Sequence, residues 1–339
     1  MSMEAGKILC HYLVDTLKIT IKQTQRINMY SAIHIALFAF NRPNLLEQTL
    51  SALAINELAD TASLTIFCDG PRDEKDEPAI RSVRELAKKA EGFASVEVVE
   101  RPKNMGCAAS IIDGLTEMFR LHEKLIVIED DIVTSPYTLR FLCDGLTRYA
   151  NNTKVFNISA WTPPHIARYL PSDYPYDVYA IPRFNCWGWA SWRDRFQDID
   201  WAVKDYQTFK DSPQLRKAFN AGGNDLSPML DAQMQGKIDA WDIRTDYARF
   251  KKNMVGINPV RSYTLNIGMG SGTHTTSATT YWDSDISLAV EHPRFMNSIT
   301  IDARIHKIYH ACYIGKKRLF PVRVINKLSR MISGRNLIP

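Results

Sequence analysis

Glu129, Asp130 and Asp131 stand side by side at the end of a short apolar run, Leu125 to Ile128. Three adjacent carboxylates repel one another, so a fold that gathers them needs a compensating charge. A divalent cation such as Mg²⁺, Mn²⁺ or Ca²⁺ meets that need through hard oxygen ligands. A solvated acidic turn ahead of a helix, announced by Thr134, Ser135 and Pro136, is the other reading, and the stretch alone leaves both open. Further along, GKIDAWDIRTDYARFKKN carries Asp239, Asp242 and Asp246 near a helix start. Asp242 and Asp246 are one turn apart and can share a face. A carboxylate there can act as general base toward a hydroxyl, or can simply answer the helix dipole. His274 lies in NIGMGSGTHTT, a loop type that presents backbone N–H groups to phosphate, although a lone histidine in a polar loop is more often plain surface. Trp187, Trp189, Trp192 and Trp201 cluster in one stretch. Most should be core, with one or two, Trp187 and Trp189 being the candidates, lining a pocket where a flat apolar face can stack on a sugar ring.

The elements that must position these residues alternate between strand and helix. IHIALFAF reads as a buried strand ending at Asn41-Arg42-Pro43, and NLLEQTLSAL continues at helical period. LTIFCDG is a strand closing on Asp69, EPAIRSVRELAKKA a helix and SVEVVER a strand. NMGCAASIIDGLTEMFRLH is a helix opening at Asn104 and Gly106, followed by the strand that ends in the acidic triplet. Such alternation predicts an α/β fold with a mostly parallel sheet and helices on both faces. Right-handed crossovers would bring the strand ends to one edge. Asn41, Arg42, Asp69, Arg101, Asn104 and Glu129 to Asp131 would then line one crevice, where open α/β sheets bind ligands. No G-x-G-x-x-G follows the first strand and no G-x-x-x-x-G-K-[ST] occurs, which disfavours a dinucleotide fold and a P-loop. A nucleoside diphosphate bridged by a divalent cation suits the crevice better. Beyond Tyr149, VFNISAW reads as a short strand and Thr162 to Tyr179, rich in Pro and Tyr, as a loop or lid.

The 339 residues suffice for a large core, and a net charge of +5 does not by itself point to nucleic acid. Six scattered cysteines with no CxxC pair suit a reducing cytosol and argue against a zinc site or a disulfide framework. No apolar run is long enough to span a membrane, and residues 1–30 lack the pattern of a signal peptide.

The motifs ALFAFNRP, CDGPRD, RPKNMG, VIEDDIVTSP, CWGWASWRDR, DAWDIRTDYA and NIGMGSGTHT, in this order over about residues 33–275, resemble GT-A glycosyltransferases of bacterial polysaccharide synthesis, distantly similar to N-acetylglucosaminyltransferase I. The resemblance implies a GT-A fold, a nucleotide-sugar donor, usually UDP-linked, and Mn²⁺ or Mg²⁺. It implies Arg42 at the nucleotide end, Asp69 on the base, Glu129 and Asp130 on the donor's sugar and ribose, and Asp131 on the metal. Asp242 falls at the position of the catalytic base of an inverting transfer, and His274 in the loop near the diphosphate. Here Asp242 is followed by Ile243 rather than a second aspartate, which keeps Asp239 and Asp246 as reserves. The reading divides the chain into an N-terminal extension (1–30), a nucleotide-sugar-binding half (31–150), an acceptor-binding half (151–290) and a basic tail (291–339).

The acceptor expected is a glycan or a lipid-linked oligosaccharide. The tail segment KKRLFPVRVINKLSRMISGR mixes cations with apolar residues, as a peripheral contact on the inner face of the plasma membrane would require. A packed helix with a solvated basic face is the alternative. Two other functions compete: a sugar nucleotidyltransferase, which would need a Gly-rich basic loop that ALFAFNRPN lacks, and a catalytically silent carbohydrate-binding domain.

Overall fold

The computed structural model describes residues 33–269 and 281–313. The expectations placed on residues 1–30, on His274 and on the tail beyond residue 313 lie outside the described residues.

The chain enters with β1 (Ile33–Ala39), α1 (Pro43–Ala54), β2 (Ala62–Cys68), α2 (Glu77–Lys88), β3 (Ser95–Glu100), α3 (Cys107–Leu121) and β4 (Lys124–Glu129). Strands β1, β2, β3 and β4 are mutually parallel, in the spatial order β3-β2-β1-β4. The period of two decides what each strand packs against. Ile35, Leu37, Ile126 and Ile128 face α1 and α2, meeting Leu46, Leu50, Leu53 and Val83. Ala36, Phe38, Leu125 and Val127 face the other way, onto Ile111, Leu115, Met118 and Phe119 of α3. Helices therefore cover both faces, and the strands read as continuous apolar runs because neither face meets water. Pro43 opens α1 at a position where its missing N–H costs nothing, with Arg42 just before it.

After β4 come β5 (Ile132–Thr134), α4 (Thr138–Tyr149), β6 (Val155–Ser159), α5 (Pro164–Tyr169), β7 (Val178–Ile181) and β8 (Trp189–Trp192). Next are α6 (Arg193–Phe196), α7 (Tyr206–Lys210), α8 (Pro213–Phe219), α9 (Leu226–Met234), α10 (Trp241–Lys251), β9 (Val255–Pro259), β10 (Thr264–Asn266) and α11 (Ala303–Cys312). One sheet of eight strands, order β3-β2-β1-β4-β8-β6-β9-β7, runs through both halves of the chain. β8 pairs antiparallel with both β4 and β6, and β7 antiparallel with β9, so the sheet is mixed but mainly parallel.

Two local expectations change, and one element without a sequence expectation appears. Thr134 to Pro136 do not start a helix: β5 ends at Thr134 and pairs antiparallel with β10, and α4 begins only at Thr138. The stretch from Thr162 to Tyr179 contains helix α5 and enters strand β7. WASW is a strand of the main sheet, buried at all four positions. Helices α7 to α10 form a separate apolar layer through Phe209, Phe219, Leu230, Ile243 and Tyr247. α11 packs Ile305 and Tyr309 onto Ile166 and Tyr179. No helix among the described residues is long and apolar enough to cross a membrane.

Candidate active site

The carboxyl ends of β1, β2 and β4 open onto a cavity of about 450 Å³ lined by Phe40, Asn41, Arg42, Asp69, Asn104 and Glu129, among others. Asp130 and Asp239 reach the same cavity, and so do Arg72, Cys107 and Ser110. Strand polarity accounts for this meeting: parallel strands deliver their C-terminal loops to one edge.

Arg42 organises the acidic corner. Its Nη2 reaches Asp130 Oδ1, and its Nη1 lies 2.9 Å from Asp131 Oδ2. Asp130 is held further by Thr49 Oγ1, which donates to its carbonyl at 2.9 Å. Burial pushes the Asp130 carboxyl up to about 6 against the opposing pull of Arg42. Glu129 is driven well above the usual carboxylate range, first by burial and then by the charges of Asp131, Asp130 and Asp242. Burial alone would lower the Arg42 guanidinium, but the two aspartates raise it. Glu129, Asp130 and Asp131 thus crowd one corner where, among the described residues, Arg42 pairs with the two aspartates, while Asp242 adds its charge from α10 and interacts with Arg244. That imbalance is the electrostatic signature expected where a cation binds.

The far wall is built by Asp69 and the 101–106 loop. Asp69 Oδ1 accepts from Gly70 N at 2.8 Å and Met105 N at 3.0 Å, and its Oδ2 accepts from Asn104 Nδ2 at 3.1 Å. Asn104 Nδ2 also donates to Gly70 O, so its amide oxygen is the part left for a ligand. Gly70 permits this contact: a Cβ there would lie 2.4 Å from the backbone of Lys103. Asp69 is largely consumed in shaping the loop, and burial moves its carboxyl upward despite these donors. At the mouth, Arg72 forms a fork with Asp76 at 2.7 and 2.8 Å and lies over the Phe40 ring, 4.9 Å from its centroid. Asn41 donates to the same aspartate at 2.8 Å.

The later half of the chain closes the site from the other side. Asp239 Oδ2 accepts from Ala108 N at the start of α3, tying the segment before α10 to the cavity. Asp242, in the first turn of α10, is close enough to raise Glu129 and the Cys186 and Cys107 thiols. Asp246 is inside the protein, bonded to Phe184 N at 3.0 Å and to Arg249 Nε at 2.5 Å, which removes it as a reserve base. The β5–β10 pairing carries Ile267 N to Asp131 O at 2.9 Å and sets Gly268 against the Asp131 carboxylate. A Cβ on Gly268 would fall 2.1 Å from Asp131 Oδ2.

Asn41, Arg42, Asp69, Asn104, Glu129 and Asp130 are brought together, with Asp131 and Asp242 adjoining. Arg101 is turned away, paired with Asp113 and packed over Phe67. Trp189 is 0% exposed and stacks with Phe196 in the core, so it has no face to offer a ligand. Trp187 is half-buried, edge-on to Trp161 at 4.5 Å. Among the described residues no group of three or more His, Cys, Asp or Glu forms a ready metal cage. Sequence reasoning missed Phe40, Cys107, Ser110 and Gly268. Only Gly268, inside a Gly/Ser/Thr loop, carried a local signal.

No protein family matches the chain, and no curated protein matches it. Among solved structures it is similar to the mannosyltransferase PcManGT from Pyrobaculum calidifontis in complex with GDP-Man and Mn²⁺. That pair has a TM-score of 0.36 and 14% identity, over 64% of this chain and 73% of that one. It is also similar to S. aureus TarS 1-349 in complex with UDP-GlcNAc, with a TM-score of 0.39 and 11% identity over 73% of this chain and 61% of that one. Against S. aureus TarS the match spans 50% of this chain and 30% of that one, at a TM-score of 0.34 and 11% identity. Likenesses this remote carry no argument about function, which rests on the site itself.

Proposed function

We propose that the protein is a glycosyltransferase of GT-A type that uses a nucleotide-sugar donor and a divalent metal. The observation that carries this reading is the crevice at the ends of β1, β2 and β4, with an excess of carboxylate at one end and a donor- and ring-lined wall at the other. The ring of Phe40 and the amide of Asn104 suit a nucleobase, uracil being the one the motifs favour. Glu129 and Asp130 suit ribose and sugar hydroxyls.

The carboxylate oxygens of this corner are the ligand type that a hard cation, Mn²⁺ or Mg²⁺, takes. Asp131 would hold it, with His274 as the second expected ligand, and Gly268 keeps the space beside Asp131 Oδ2 free of a side chain. Such an ion supplies charge neutralisation for a departing diphosphate. Asp242 removes the proton from the acceptor hydroxyl, whose oxygen attacks the anomeric carbon on the face opposite the leaving group, so the configuration inverts. Asp239 stands beside it as a positioning residue, fixing the segment before α10 to α3. The acceptor is a glycan or lipid-linked oligosaccharide hydroxyl.

Release of nucleoside diphosphate from a panel of UDP- and GDP-sugars, with and without Mn²⁺, tests the reading. Asp242→Asn should slow turnover by about 10²- to 10⁴-fold with donor affinity unchanged. Turnover undiminished in that variant would remove Asp242 from the chemistry. Metal-dependent donor binding with no turnover of any sugar would favour a binding domain.

A further inference from the structure

A second concave site lies away from the crevice, where α7, α8 and α11 meet. It encloses about 760 Å³ and is lined by Lys210, Arg216, Lys217, Asn220, His306 and His310, with Asp211 at its edge. Its charges are unevenly answered. Arg216 is spent on Asp231, in a fork of 2.8 and 2.7 Å. Lys210 contributes to the field that lowers Asp231, but among the described residues neither Lys210 nor Lys217 forms an ion pair. Both lysines are exposed, and the one opposing carboxylate, Asp211, accepts from Gln207 Nε2 at 2.7 Å.

The rest of the lining adds an amide and two imidazoles. Asn220 turns its amide oxygen to Ser227 N at 2.9 Å, which leaves Nδ2 with its two N–H groups. His306 and His310, one turn apart on α11, are pinned through Nε2 to the carbonyls of Ala221 and Asn220 at 2.6 and 3.2 Å. Each ring therefore keeps its place while Nδ1 remains as its second nitrogen. Lys210 from α7, Lys217 from α8 and Asn220 Nδ2 thus converge on one cavity whose Asp211 carboxylate and Asn220 amide oxygen are already engaged.

The geometry points to a binding site for a phosphate or diphosphate group, separate from the donor crevice and independent of what that crevice binds. Lys210 and Lys217 supply the charge, Asn220 Nδ2 supplies a directional contact, and the two imidazoles join as Nδ1 donors only in their protonated form. A phosphate ester in solution and the headgroup of an anionic lipid share this chemistry.

The probe is inorganic pyrophosphate, titrated calorimetrically into the full chain in EDTA so that no divalent cation bridges it to the acidic corner. Wild type should bind one equivalent. Lys210→Gln with Lys217→Gln should weaken binding by about tenfold or more, and Arg42→Gln should leave it unchanged. Because both lysines are exposed, the double variant should keep the wild-type circular dichroism. Equal binding by the double variant, or no binding by wild type, overturns the site. Loss that occurs only in Arg42→Gln moves the ion to the donor crevice and overturns it as well. Co-sedimentation with phosphatidic acid vesicles against phosphatidylcholine vesicles then separates the sources. Retention by phosphatidic acid that the double variant loses identifies a lipid headgroup, and pyrophosphate binding without such retention identifies a soluble phosphate ester.

Discussion

Arg42→Gln should destabilise the protein and at the same time make it more responsive to divalent cations. Arg42 is the only cation in ion-pair contact with Asp130 and Asp131 among the described residues, and its side chain is about a quarter exposed. Removing one partner of a fully buried pair costs about 3–5 kcal/mol, because the remaining charge is stranded. Partial exposure of the guanidinium lets water screen it, which brings the figure to about 2–3 kcal/mol. At about 2 °C per kcal/mol for a chain of this size, the melting temperature should fall by about 4–6 °C without metal. The stranded carboxylates then attract a cation more strongly than in wild type, where Arg42 competes for Asp131 Oδ2. Mn²⁺ or Mg²⁺ should therefore raise the melting temperature of Arg42→Gln by more than it raises wild type. Differential scanning fluorimetry across a metal titration measures both effects. A variant that melts within 1 °C of wild type, or gains nothing extra from metal, would refute the view that Arg42 neutralises a cation-seeking corner.

Two further outcomes follow from the same geometry. Gly268→Ala puts a methyl group where Asp131 Oδ2 lies, so the metal-dependent response to nucleotide should disappear while the far-UV spectrum stays native; calorimetric titration with nucleotide and Mn²⁺ reads this directly. His34 and His122 stack with ring centroids 3.5 Å apart, and both are shifted down, His34 by burial and then its partner, His122 by burial and then Arg193. Their unfolded forms take protons first as pH falls below about 6.5, so stability should be complete above that value and decline beneath it. The decline should be shallower in His34→Gln, as denaturant melts at pH 7.5 and 5.5 would show.

The N-terminal half was open to reading because its strands are doubly buried and its crossovers amphipathic. IHIALFA, LTIFC and KLIVIE each announce a strand and deliver Asn41-Arg42, Asp69 and Glu129–Asp131 to one edge. The later half was less open because its decisive elements are short and defined by partners rather than by pattern. β5 and β10 have three residues each, and it is their pairing that brings Gly268 to Asp131. WASW shows no alternation, because β8 is buried on both faces between β4 and β6. Helical spacing placed Asp242 and Asp246 on one face but not the depth of that face: Arg249 and Phe184 draw Asp246 into the interior. For the same reason a tryptophan-rich stretch beside glycine suggested stacking surfaces, while Trp189 serves the core.

Thermal stability across a panel of nucleotides, with and without Mn²⁺, for wild type and Asp131→Ala, tests the central claim most directly. A ligand that binds only the folded state raises the melting temperature by mass action, by about 2.7 kcal/mol of stability at a hundredfold excess over its Kd. The nucleotide-sugar reading predicts that UDP with Mn²⁺ stabilises wild type and that Asp131→Ala loses the response. If no nucleotide stabilises wild type with any metal, the carboxylate corner is structural and the glycosyltransferase assignment is contradicted.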